Sequence, residues 1–261
     1  MKRVRIETID RPMPDEVARL AYKSAIYDSS CSPEARVYFI DKDEGYYLKF
    51  AKPGALENEA KMNSYFCRRG IGPEVLYYGS SEEDILLTRR VAGEDCTHQI
   101  YLDEPKRLSD TIALSLRELH EMDFWDCPIQ QRTEEYIASV LSNYHTGNYD
   151  KSHFPDSFGY ASAEEAYAVF MDGKDALDSK VLLHGDYCLP NIMLDGWRLS
   201  GFIDLGCGGV GDRHIDLFWG AWTLWFNLGT DEYRARFLDA YGRDAIDEDI
   251  LRVVAAAEVF G

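Results

Sequence analysis

Residues 181–194 of the chain read VLLHGDYCLPNIML, and residues 199–206 read LSGFIDLG. A short apolar run of about four or five residues is typical of a buried strand. Three polar residues, Asp186, Asn191 and Asp204, each stand at the end of such a run. A carboxylate or amide at the point where a buried strand meets a loop is held by the core and is still exposed to a cleft. Three of them within nineteen residues therefore predict a site for a metal ion and a catalytic base.

The composition describes a folded chain with a large negative charge. Of its 261 residues, 46% are apolar and 13% aromatic, which is enough to bury a full core and excludes a disordered chain. The formal net charge is −18, from 46 acidic and 28 basic residues. Nucleic acid is not an expected partner, because its binding needs lysine and arginine to neutralise phosphates. A field of this sign would attract a cationic small molecule; the alternative is that the acidity serves solubility only.

The cysteines and the apolar runs indicate a cytoplasmic protein without membrane contact. Six cysteines are scattered along the chain without a Cys-x-x-Cys pair, which argues against a zinc site or a redox motif. Widely spaced cysteines in a chain of this length are typical of reduced thiols in the cytosol. The first ten residues contain no apolar core of a signal peptide. The longest apolar run, residues 217–226, is far shorter than the ~20 residues that span a bilayer.

The first ~90 residues predict a small antiparallel sheet that carries one helix. The turn at residues 41–45 contains the Asp and Gly that a hairpin favours, and Gly70 suits the end of a helix. The predicted elements are helices at 14–28 and 56–69 and strands at 35–40, 46–50, 75–78 and 85–88.

After Gly93 the apolar spacing becomes mostly helical. We therefore predict an α+β fold with two lobes: a sheet-rich N-terminal lobe (1–90), a connector at about 88–94, and a larger, mainly helical C-terminal lobe (91–261). The predicted helices of this lobe are residues 106–122, 133–144, 163–170, 216–226, 231–241 and 247–260.

A lysine and a glutamate in the N-terminal lobe are candidates for a phosphate grip. Phosphoryl transfer needs a cation on the donor phosphates, a divalent metal, a carboxylate that positions the acceptor hydroxyl, and few competing waters. Lys49 lies in the apolar strand Tyr47-Leu48-Lys49-Phe50, and Glu59 follows ten residues later on the next helix. An ion pair between them would fix Lys49 so that it can hold the α- and β-phosphates. The alternative is a surface lysine on an edge strand.

The three polar residues of the opening segments supply the remaining groups. Asp186 is the candidate base, which would accept a hydrogen bond from the acceptor hydroxyl and align it for attack. Asn191 and Asp204 offer the hard oxygen atoms that Mg²⁺ prefers. The alternative is that Asp and Asn hydrogen-bond their own backbone in turns, as these residue types often do.

Lys49, Glu59, His184-Gly185-Asp186-x₄-Asn191 and Ile203-Asp204-Leu205-Gly206 together resemble the signature of the aminoglycoside phosphotransferase family. The fold of that family is similar to the protein kinases, in which an arginine stands at the position of Gly185. The resemblance covers nearly the whole chain and implies a bilobal, protein-kinase-like fold. In such a fold, residues 1–90 would form the nucleotide-binding lobe and residues 91–261 the catalytic and substrate-binding lobe.

Three further segments resemble the 3′-phosphotransferase branch of the family. Residues 32–38 are similar to the phosphate loop of that branch. Residues 200–206 and 211–217 are similar to two further sequence motifs of the branch. A phosphotransferase of this branch would move the γ-phosphate of ATP or GTP to an aminoglycoside hydroxyl, with Mg²⁺ as cofactor.

The resemblance implies roles for individual residues. Asp186 would be the catalytic carboxylate, Asn191 and Asp204 would hold Mg²⁺, and Lys49 paired with Glu59 would grip the donor phosphates.

Four more residues are implied on the nucleotide side. Ser32 belongs to the phosphate loop, Tyr47 stands where an aromatic residue stacks on adenine, and Arg89 and Val91 belong to the connector whose backbone meets the edge of the base. The alternative for Tyr47 is ordinary packing within a strand.

On the substrate side, the nearest matches to the carboxylates that bind ammonium groups are Asp150 and Glu258. The alternative for Glu258 is a solvated helix end. Two departures from the branch lie nearby: Cys207 and Trp222 stand where arginines are expected. The loss of two cations beside the catalytic carboxylate would change the local field, the rate or the substrate.

The leading hypothesis is a Mg²⁺-dependent kinase that phosphorylates an aminoglycoside, at the 3′ position, as a monomer or a dimer. One alternative keeps the chemistry and changes the acceptor to another amino sugar, a choline-like amine or a metabolite. A second is a nucleotide-binding module without catalysis. A third is a metal-dependent hydrolase that uses His184, Asp186, Asp204 and His214, although such sites usually contain more closely spaced histidines.

Overall fold

The structure is a computed structural model, and it describes residues 3–149 and 159–261. The strands are β1 (Val4–Ile6), β2 (Ala25–Asp28), β3 (Ala35–Asp41), β4 (Tyr46–Ala51), β5 (Val75–Ser80), β6 (Asp84–Arg89), β7 (Glu94–Asp95), β8 (Val181–Leu183), β9 (Ile192–Asp195), β10 (Arg198–Phe202) and β11 (Gly209–Gly211). The helices are α1 (Asp15–Ala21), α2 (Glu57–Arg68), α3 (Gln99–Leu102), α4 (Pro105–His120), α5 (Arg132–Thr146), α6 (Ala163–Gly173), α7 (Arg213–Leu228), α8 (Glu232–Tyr241) and α9 (Glu248–Ala257).

The chain divides into two compact units. The first consists of residues 1–96 and 190–206, and the second of residues 97–189 and 207–261. The division at about residue 90 that we expected from sequence placed residues 190–206 in the C-terminal lobe. In the structure, the strand pair β9 and β10 belongs to the first unit because β9 pairs with β7.

The first unit is built on an antiparallel sheet with the strand order β1-β2-β3-β4-β6-β5. Alternate residues of β4 point to opposite faces of the sheet. Tyr46, Leu48 and Phe50 are buried in a core with Val17 of α1, so Tyr47 and Lys49 lie on the other face. The predicted hairpin is confirmed, with Val37 opposite Lys49 and Phe39 opposite Tyr47.

The helix predicted over residues 14–28 is wrong in its second half. Helix α1 ends at Ala21, and residues 25–28 form β2, which pairs antiparallel with β3. Lys23 adopts a φ of +61°, a left-handed conformation that cannot continue a right-handed helix. Ile26 is then buried in the core as a strand residue. The side-chain spacing of this segment suited a helix, but pairing with β3 determines its conformation.

Helix α2 is anchored at its start by the carboxylate of Asp84. This buried side chain accepts the backbone N–H groups of Gly54 at 2.9 Å and Leu56 at 2.8 Å. Burial by itself would raise the pKa of Asp84, but hydrogen bonds from Ser80 and from these two amides lower it below the usual range. The loop before α2 is thereby ordered, and Glu59 is placed in the first turn of the helix.

The second unit is mainly helical, as predicted. Helix α4 packs against α7 and α8, and it buries completely the side chains of Leu108, Ile112, Leu116 and Leu119. The short strands β8 and β11 pair antiparallel, and β8 leads directly into His184. A second core joins α5, α6, α7 and α9 around Phe170 and Phe260. Within residues 3–149 and 159–261, every helix is too short or too polar to cross a bilayer.

Candidate active site

In the first unit, Lys49 joins two carboxylates. Its Nζ atom lies 2.6 Å from Oε1 of Glu59 and 2.9 Å from Oδ1 of Asp204. The side chains of Lys49 and Glu59 are 18% and 7% exposed. Burial by itself lowers the pKa of Lys49, but the two carboxylates outweigh it and raise the pKa above its usual value. The lysine is therefore cationic, and its ammonium is fixed in direction.

Glu59 holds Lys49 in place through a buried ion pair. Burial raises the pKa of its carboxyl, while the charge of Lys49 opposes that rise. A buried ion pair is retained only when its hydrogen bonds are satisfied, and Asn63, one turn later on α2, also hydrogen-bonds Glu59. The predicted pairing of Lys49 with Glu59 is present, whereas the contact of Lys49 with Asp204 was not foreseen.

Asp204 and Asn191 are linked through the backbone. The N–H of Ile203 donates to the carbonyl oxygen of Asn191 at 3.0 Å, so the residues that follow β10 are tied to the residue that precedes β9. Asp204 has a φ of +60°, which is rare for a residue with a Cβ, and its side chain is 53% exposed. Strained backbone of this kind is concentrated at functional sites.

The oxygen donors of Asn191 and Asp204 suit a hard divalent cation. Mg²⁺ is bound in proteins through one or two carboxylate or amide oxygens, with water and substrate phosphates completing the octahedron. Asn191 is 7% exposed, and the exposed carboxylate of Asp204 can face both solvent and Lys49. The chemistry of this donor set fits the metal implied by the resemblance.

The remaining nucleotide-side residues differ in how they are held. Tyr47 packs against Phe39, with ring centroids 5.2 Å apart, and its hydroxyl accepts a hydrogen bond from Arg3 at 2.8 Å. Arg89 pairs with Glu74 at 2.8 Å on the surface.

The last two residues of this group lie in loops. Val91 is half-buried just after β6, and Ser32 is exposed in the loop between β2 and β3. Of the sequence-predicted residues, the first unit therefore brings Lys49, Glu59 and Asp204 into direct contact.

In the second unit, the loop with Asp186 is fixed by a buried carboxylate on α7. Asp216 is completely buried, and it accepts the N–H of His184 at 2.8 Å and of Gly185 at 2.7 Å. Its Oδ2 atom also lies 3.1 Å from Nε2 of His120. The N–H of Asp186 points back to Nδ1 of His184, at 3.2 Å. Three consecutive amides of the loop are thus bound internally, and the side chain of Asp186 is left partly exposed.

Gly185 is required at its position by both conformation and space. Its φ is +87°, and a Cβ atom added there would lie 1.9 Å from the carbonyl oxygen of Cys207. The close approach of the segment after β8 to the segment before β11 leaves no room for a side chain. An arginine, which the kinases have here, would not fit this loop.

Cys188 connects Asp186 to α7. Its thiol is hydrogen-bonded to the carboxylate of Asp186 and to the hydroxyl of Thr223. Burial, followed by the charge of Asp186, raises the pKa of Cys188 far above its usual value, so the thiol keeps its proton and can donate it. The N–H of Leu189 also donates to Thr223 Oγ1, at 3.1 Å.

Glu258 is the second carboxylate near Asp186. It is 7% exposed, and it accepts a hydrogen bond from the hydroxyl of Tyr136 at 2.8 Å. Burial raises the pKa of Glu258 to about 7; the charge of Asp186 adds to this rise, while hydrogen bonds from Tyr136 and Trp219 reduce it. The alternative of a solvated helix end is therefore wrong. Asp150 lies outside the described residues.

Sequence reasoning missed Asp216, His120, Cys188 and Thr223 as parts of this arrangement. Two signals pointed to Asp216: it lies in the segment 211–217 that resembles the 3′ branch, and it directly precedes a long apolar helical run. A charge at such a place needs buried partners. Cys188 gave no signal of its own.

The two residues that stand where the branch has arginines differ in environment. Cys207 is exposed, whereas Trp222 packs against the core of the second unit.

The structure argues against the metal-dependent hydrolase, because His214 is not available as a metal ligand. His214 is held on both ring nitrogens: Nδ1 lies 2.7 Å from Asp212, and Nε2 accepts the N–H of Asp247 at 2.9 Å. Within the described ranges, no group of three or more His, Cys, Asp or Glu side chains could hold a metal ion.

A lysine fixed by a helix glutamate, an exposed aspartate after a β-hairpin, and a second aspartate in a His-Gly-Asp loop are the parts of a nucleotide-dependent phosphotransferase with a protein-kinase-like fold. The predicted fold class is thereby confirmed. The sequence agrees: residues 33–253 match the phosphotransferase enzyme family, and the chain belongs to that family.

Individual relatives support this assignment. The chain is 51% identical over 249 residues to a probable aminoglycoside 3′-phosphotransferase of Lactococcus lactis, covering 95% of each chain. It is 32% identical over 189 residues to an aminoglycoside 3′-phosphotransferase of Niallia circulans, covering 72% of each.

A solved structure gives the same result for the fold. Aminoglycoside phosphotransferase APH(3″)-Id of Streptomyces rimosus, in complex with ADP and streptomycin, superposes with a TM-score of 0.72 at 26% identity, over 86% of this chain and 90% of that one. The family resemblance and the phosphotransferase class expected from sequence are confirmed, and a nucleotide is the phosphate donor of such enzymes.

Proposed function

We propose that the protein transfers the γ-phosphate of ATP or GTP to the 3′-hydroxyl of an aminoglycoside and thereby inactivates the antibiotic. The observation that carries the proposal is the cluster of Lys49, Glu59 and Asp204, because a lysine held by two carboxylates is an oriented cation for donor phosphates. The identity of 51% to a probable aminoglycoside 3′-phosphotransferase supports the choice of acceptor.

The residues divide the chemistry between them. Asp186 accepts the hydrogen bond and finally the proton of the acceptor hydroxyl as its oxygen attacks the γ-phosphorus. The bond from that phosphorus to the β-phosphate oxygen breaks, and the nucleoside diphosphate leaves. Lys49 binds the donor phosphates, and Asn191 and Asp204 would hold Mg²⁺. When bound, the metal neutralises negative charge on the transferred group.

Two features, one in the second unit and one of the whole chain, suit a polycationic acceptor. Glu258 and Asp186 are close enough that the charge of one raises the pKa of the other, so two carboxylates concentrate negative potential at one place. The whole chain adds a net charge of −18. Ammonium groups of the acceptor would relieve the repulsion between the two carboxylates. The acceptor would then be bound next to Asp186, the carboxylate that receives the proton of its hydroxyl.

The site of action is part of the proposal. ATP, GTP and Mg²⁺ are cytoplasmic, and the six cysteines are free thiols in the structure. We therefore place the reaction in the cytoplasm.

The test is an acceptor panel with purified protein. Kanamycin, choline and amino sugars are offered with Mg²⁺ and either ATP or GTP, phosphorylated products are detected by mass spectrometry, and the modified hydroxyl is located by NMR. We expect phosphorylated kanamycin, with at least ~100-fold less product for Asp186→Asn. Asp195→Asn, which changes an exposed aspartate at the end of β9, is the matched control and is expected to keep full activity.

Other outcomes of the panel decide between the alternatives. Turnover of choline or of a simple amino sugar without turnover of kanamycin would replace the acceptor and keep the reaction. Nucleotide binding without turnover of any acceptor would favour a non-catalytic nucleotide-binding module.

A further inference from the structure

Helix α7 carries five aromatic side chains among residues 218–226. Three of them form a continuous surface that we call the aromatic wall: Trp219, Trp222 and Phe226. Their spacing of three and four residues places them on one face of the helix. The rings of Trp219 and Trp222 meet edge to face at 5.3 Å, and those of Trp222 and Phe226 stack at 4.9 Å with 12° between their planes.

The aromatic wall runs from the buried core to the surface. Trp219 and Trp222 are half-buried against the core of the second unit. Phe226, one to two turns further along, is 63% exposed. The wall extends about 10 Å along the helix at 1.5 Å per residue. A large exposed aromatic side chain in line with two others is an arrangement that packing alone does not require.

The inner end of the aromatic wall lies at the carboxylate of Glu258, the candidate substrate-binding residue near Asp186. Trp219 hydrogen-bonds the carboxylate of Glu258, whose pKa is itself raised by Asp186. Thr223, the neighbour of Trp222, binds the N–H of Leu189 at 3.1 Å and the thiol of Cys188. The segment with Asp186 therefore lies against the same part of α7 that begins the wall.

The chemistry of such a surface selects a particular ligand. An aromatic ring has a negative face that attracts an ammonium group within about 6 Å, and it also packs against the C–H groups of a sugar ring. Carboxylates at one end add ion pairs for further ammonium groups. A cation at position 222, which the resemblance led us to expect, would repel the same ligand, and tryptophan removes that repulsion.

We propose that the aromatic wall is a subsite for the acceptor, in which an amino-sugar ring packs against Trp222 and Phe226 while Glu258 pairs with one of its ammonium groups. The inference rests on the proposed function, because it describes how the same acceptor is held. It assigns to Phe226 a role in acceptor affinity and none in the binding of the nucleotide.

The test compares variants of the exposed end of the wall, where substitution leaves the core intact. Phe226→Ala is expected to raise the KM and the calorimetric Kd for kanamycin about 3-fold to 10-fold, as the loss of one aromatic contact predicts. The KM for nucleotide and kcat stay within about 2-fold. Phe226→Leu keeps apolar volume without an aromatic face and is expected to behave like Phe226→Ala, whereas Phe226→Tyr keeps wild-type values.

One control completes the design. Trp125→Ala removes another exposed aromatic residue, 78% exposed, and leaves the Kd for kanamycin unchanged.

The outcomes separate this inference from the proposed function. An unchanged Kd for kanamycin in Phe226→Ala, or an equal loss in Phe226→Ala and Phe226→Tyr, overturns the aromatic subsite while turnover of kanamycin by the wild type upholds the function. Absence of turnover by the wild type overturns the function, and the calorimetric Kd for kanamycin then still decides whether the aromatic wall binds amino sugars.

Discussion

The carboxylate of Asp216 accepts the backbone N–H of Gly185 at 2.7 Å, and its other oxygen accepts that of His184 at 2.8 Å. Asp216 follows Gly185 by 31 residues in the chain and is completely buried. Hydrogen bonds to a charged group contribute about 1.5–3 kcal/mol each, so this one side chain fixes the segment that presents Asp186. Asp216 therefore fixes the loop that carries Asp186, the proposed catalytic carboxylate.

Asp216→Asn should destabilise the protein and misplace Asp186. An amide has one accepting oxygen in place of two, so one loop N–H is left unpaired in the core. We expect the free energy of unfolding to fall by about 2–4 kcal/mol in urea titrations. Asp231→Asn, at the exposed residue directly before α8, should stay within about 0.5 kcal/mol of wild type. Equal stability of both variants would contradict the role of Asp216.

Gly185→Ala should be far more damaging than Gly147→Ala. Both glycines have a positive φ, of +87° and +70°, but a Cβ at Gly147 meets nothing within 4 Å, whereas at Gly185 it meets the oxygen of Cys207 at 1.9 Å. Left-handed strain alone costs about 1–2 kcal/mol, and that is the expected loss for Gly147→Ala. Gly185→Ala should lose more than this in urea unfolding and lower kcat at least ~10-fold. Similar losses for both would show that conformation, rather than space, determines the position.

Sequence reasoning identified the candidate residues whose chemistry can be recognised within a short segment of the chain. Lys49, Glu59, Asp186, Asn191 and Asp204 follow from polar groups at strand ends and from one lysine in an apolar strand. The supporting residues lay outside this reasoning because their role depends on tertiary contacts. Asp216 hydrogen-bonds a loop 31 residues away, and Cys188 matters only because Thr223 and Asp186 lie on either side of it.

The fold shows the same division between local and tertiary information. Strands β3 and β4 were predicted because turn chemistry and alternation agree within a short segment. Strand β2 was mistaken for helix because its pairing partner, β3, determines its conformation. The start of α2 depends likewise on Asp84, which stands almost thirty residues later in the chain.

Glu59→Gln and Glu57→Gln test whether the buried ion pair is functional. Both residues lie in the first turn of α2, but Glu57 pairs with Lys61 on the surface, where both side chains are about half exposed. Surface pairs of this type contribute about 0.3–0.5 kcal/mol, so Glu57→Gln should leave the kinetics unchanged. Glu59→Gln frees the ammonium of Lys49 to turn fully towards Asp204, and the KM for nucleotide should rise about 10-fold or more. An unchanged KM would mean that Asp204 alone can orient Lys49.

Cys188→Ala and Cys188→Ser should differ in rate. The thiol donates to the carboxylate of Asp186, and serine keeps a donor where alanine has none. We expect kcat of Cys188→Ala to fall about 10-fold with the acceptor KM unchanged, and Cys188→Ser to recover most of the loss, because a hydrogen bond to a charged group is worth about that factor. Substitution of the exposed Cys31 by alanine is the control. Equal rates in Cys188→Ala and Cys188→Ser would contradict a positioning role.

The pH dependence of stability should reveal the buried charge of Glu258. Its pKa is about 7 in the folded protein against the ordinary 4.5, so the folded state binds the proton more tightly than the unfolded state. The stabilising contribution is complete below pH 4.5 and is lost as the pH rises through about 7. At 1.36 kcal/mol per pKa unit the loss amounts to about 3 kcal/mol. Glu258→Gln has no such proton, so wild type and variant should diverge by this amount in urea unfolding between pH 5 and 8.

Acceptor binding should follow the opposite trend with pH. The carboxylate of Glu258 faces the hydroxyl of Tyr136, the indole of Trp219, the carboxylate of Asp186 and the thiol of Cys188, none of which brings a positive charge. An ammonium group of the acceptor would supply that charge. We therefore expect the Kd for kanamycin to fall as the pH rises through about 7 in the wild type and to change less in Glu258→Gln, measured by calorimetry. The contribution of Glu258 to stability is lost at the pH where its carboxylate is ionised. There the ligand should raise Tm most, since it neutralises the buried charge. A kanamycin-induced rise in Tm that is equal at pH 6 and pH 8 would show that Glu258 does not meet the acceptor.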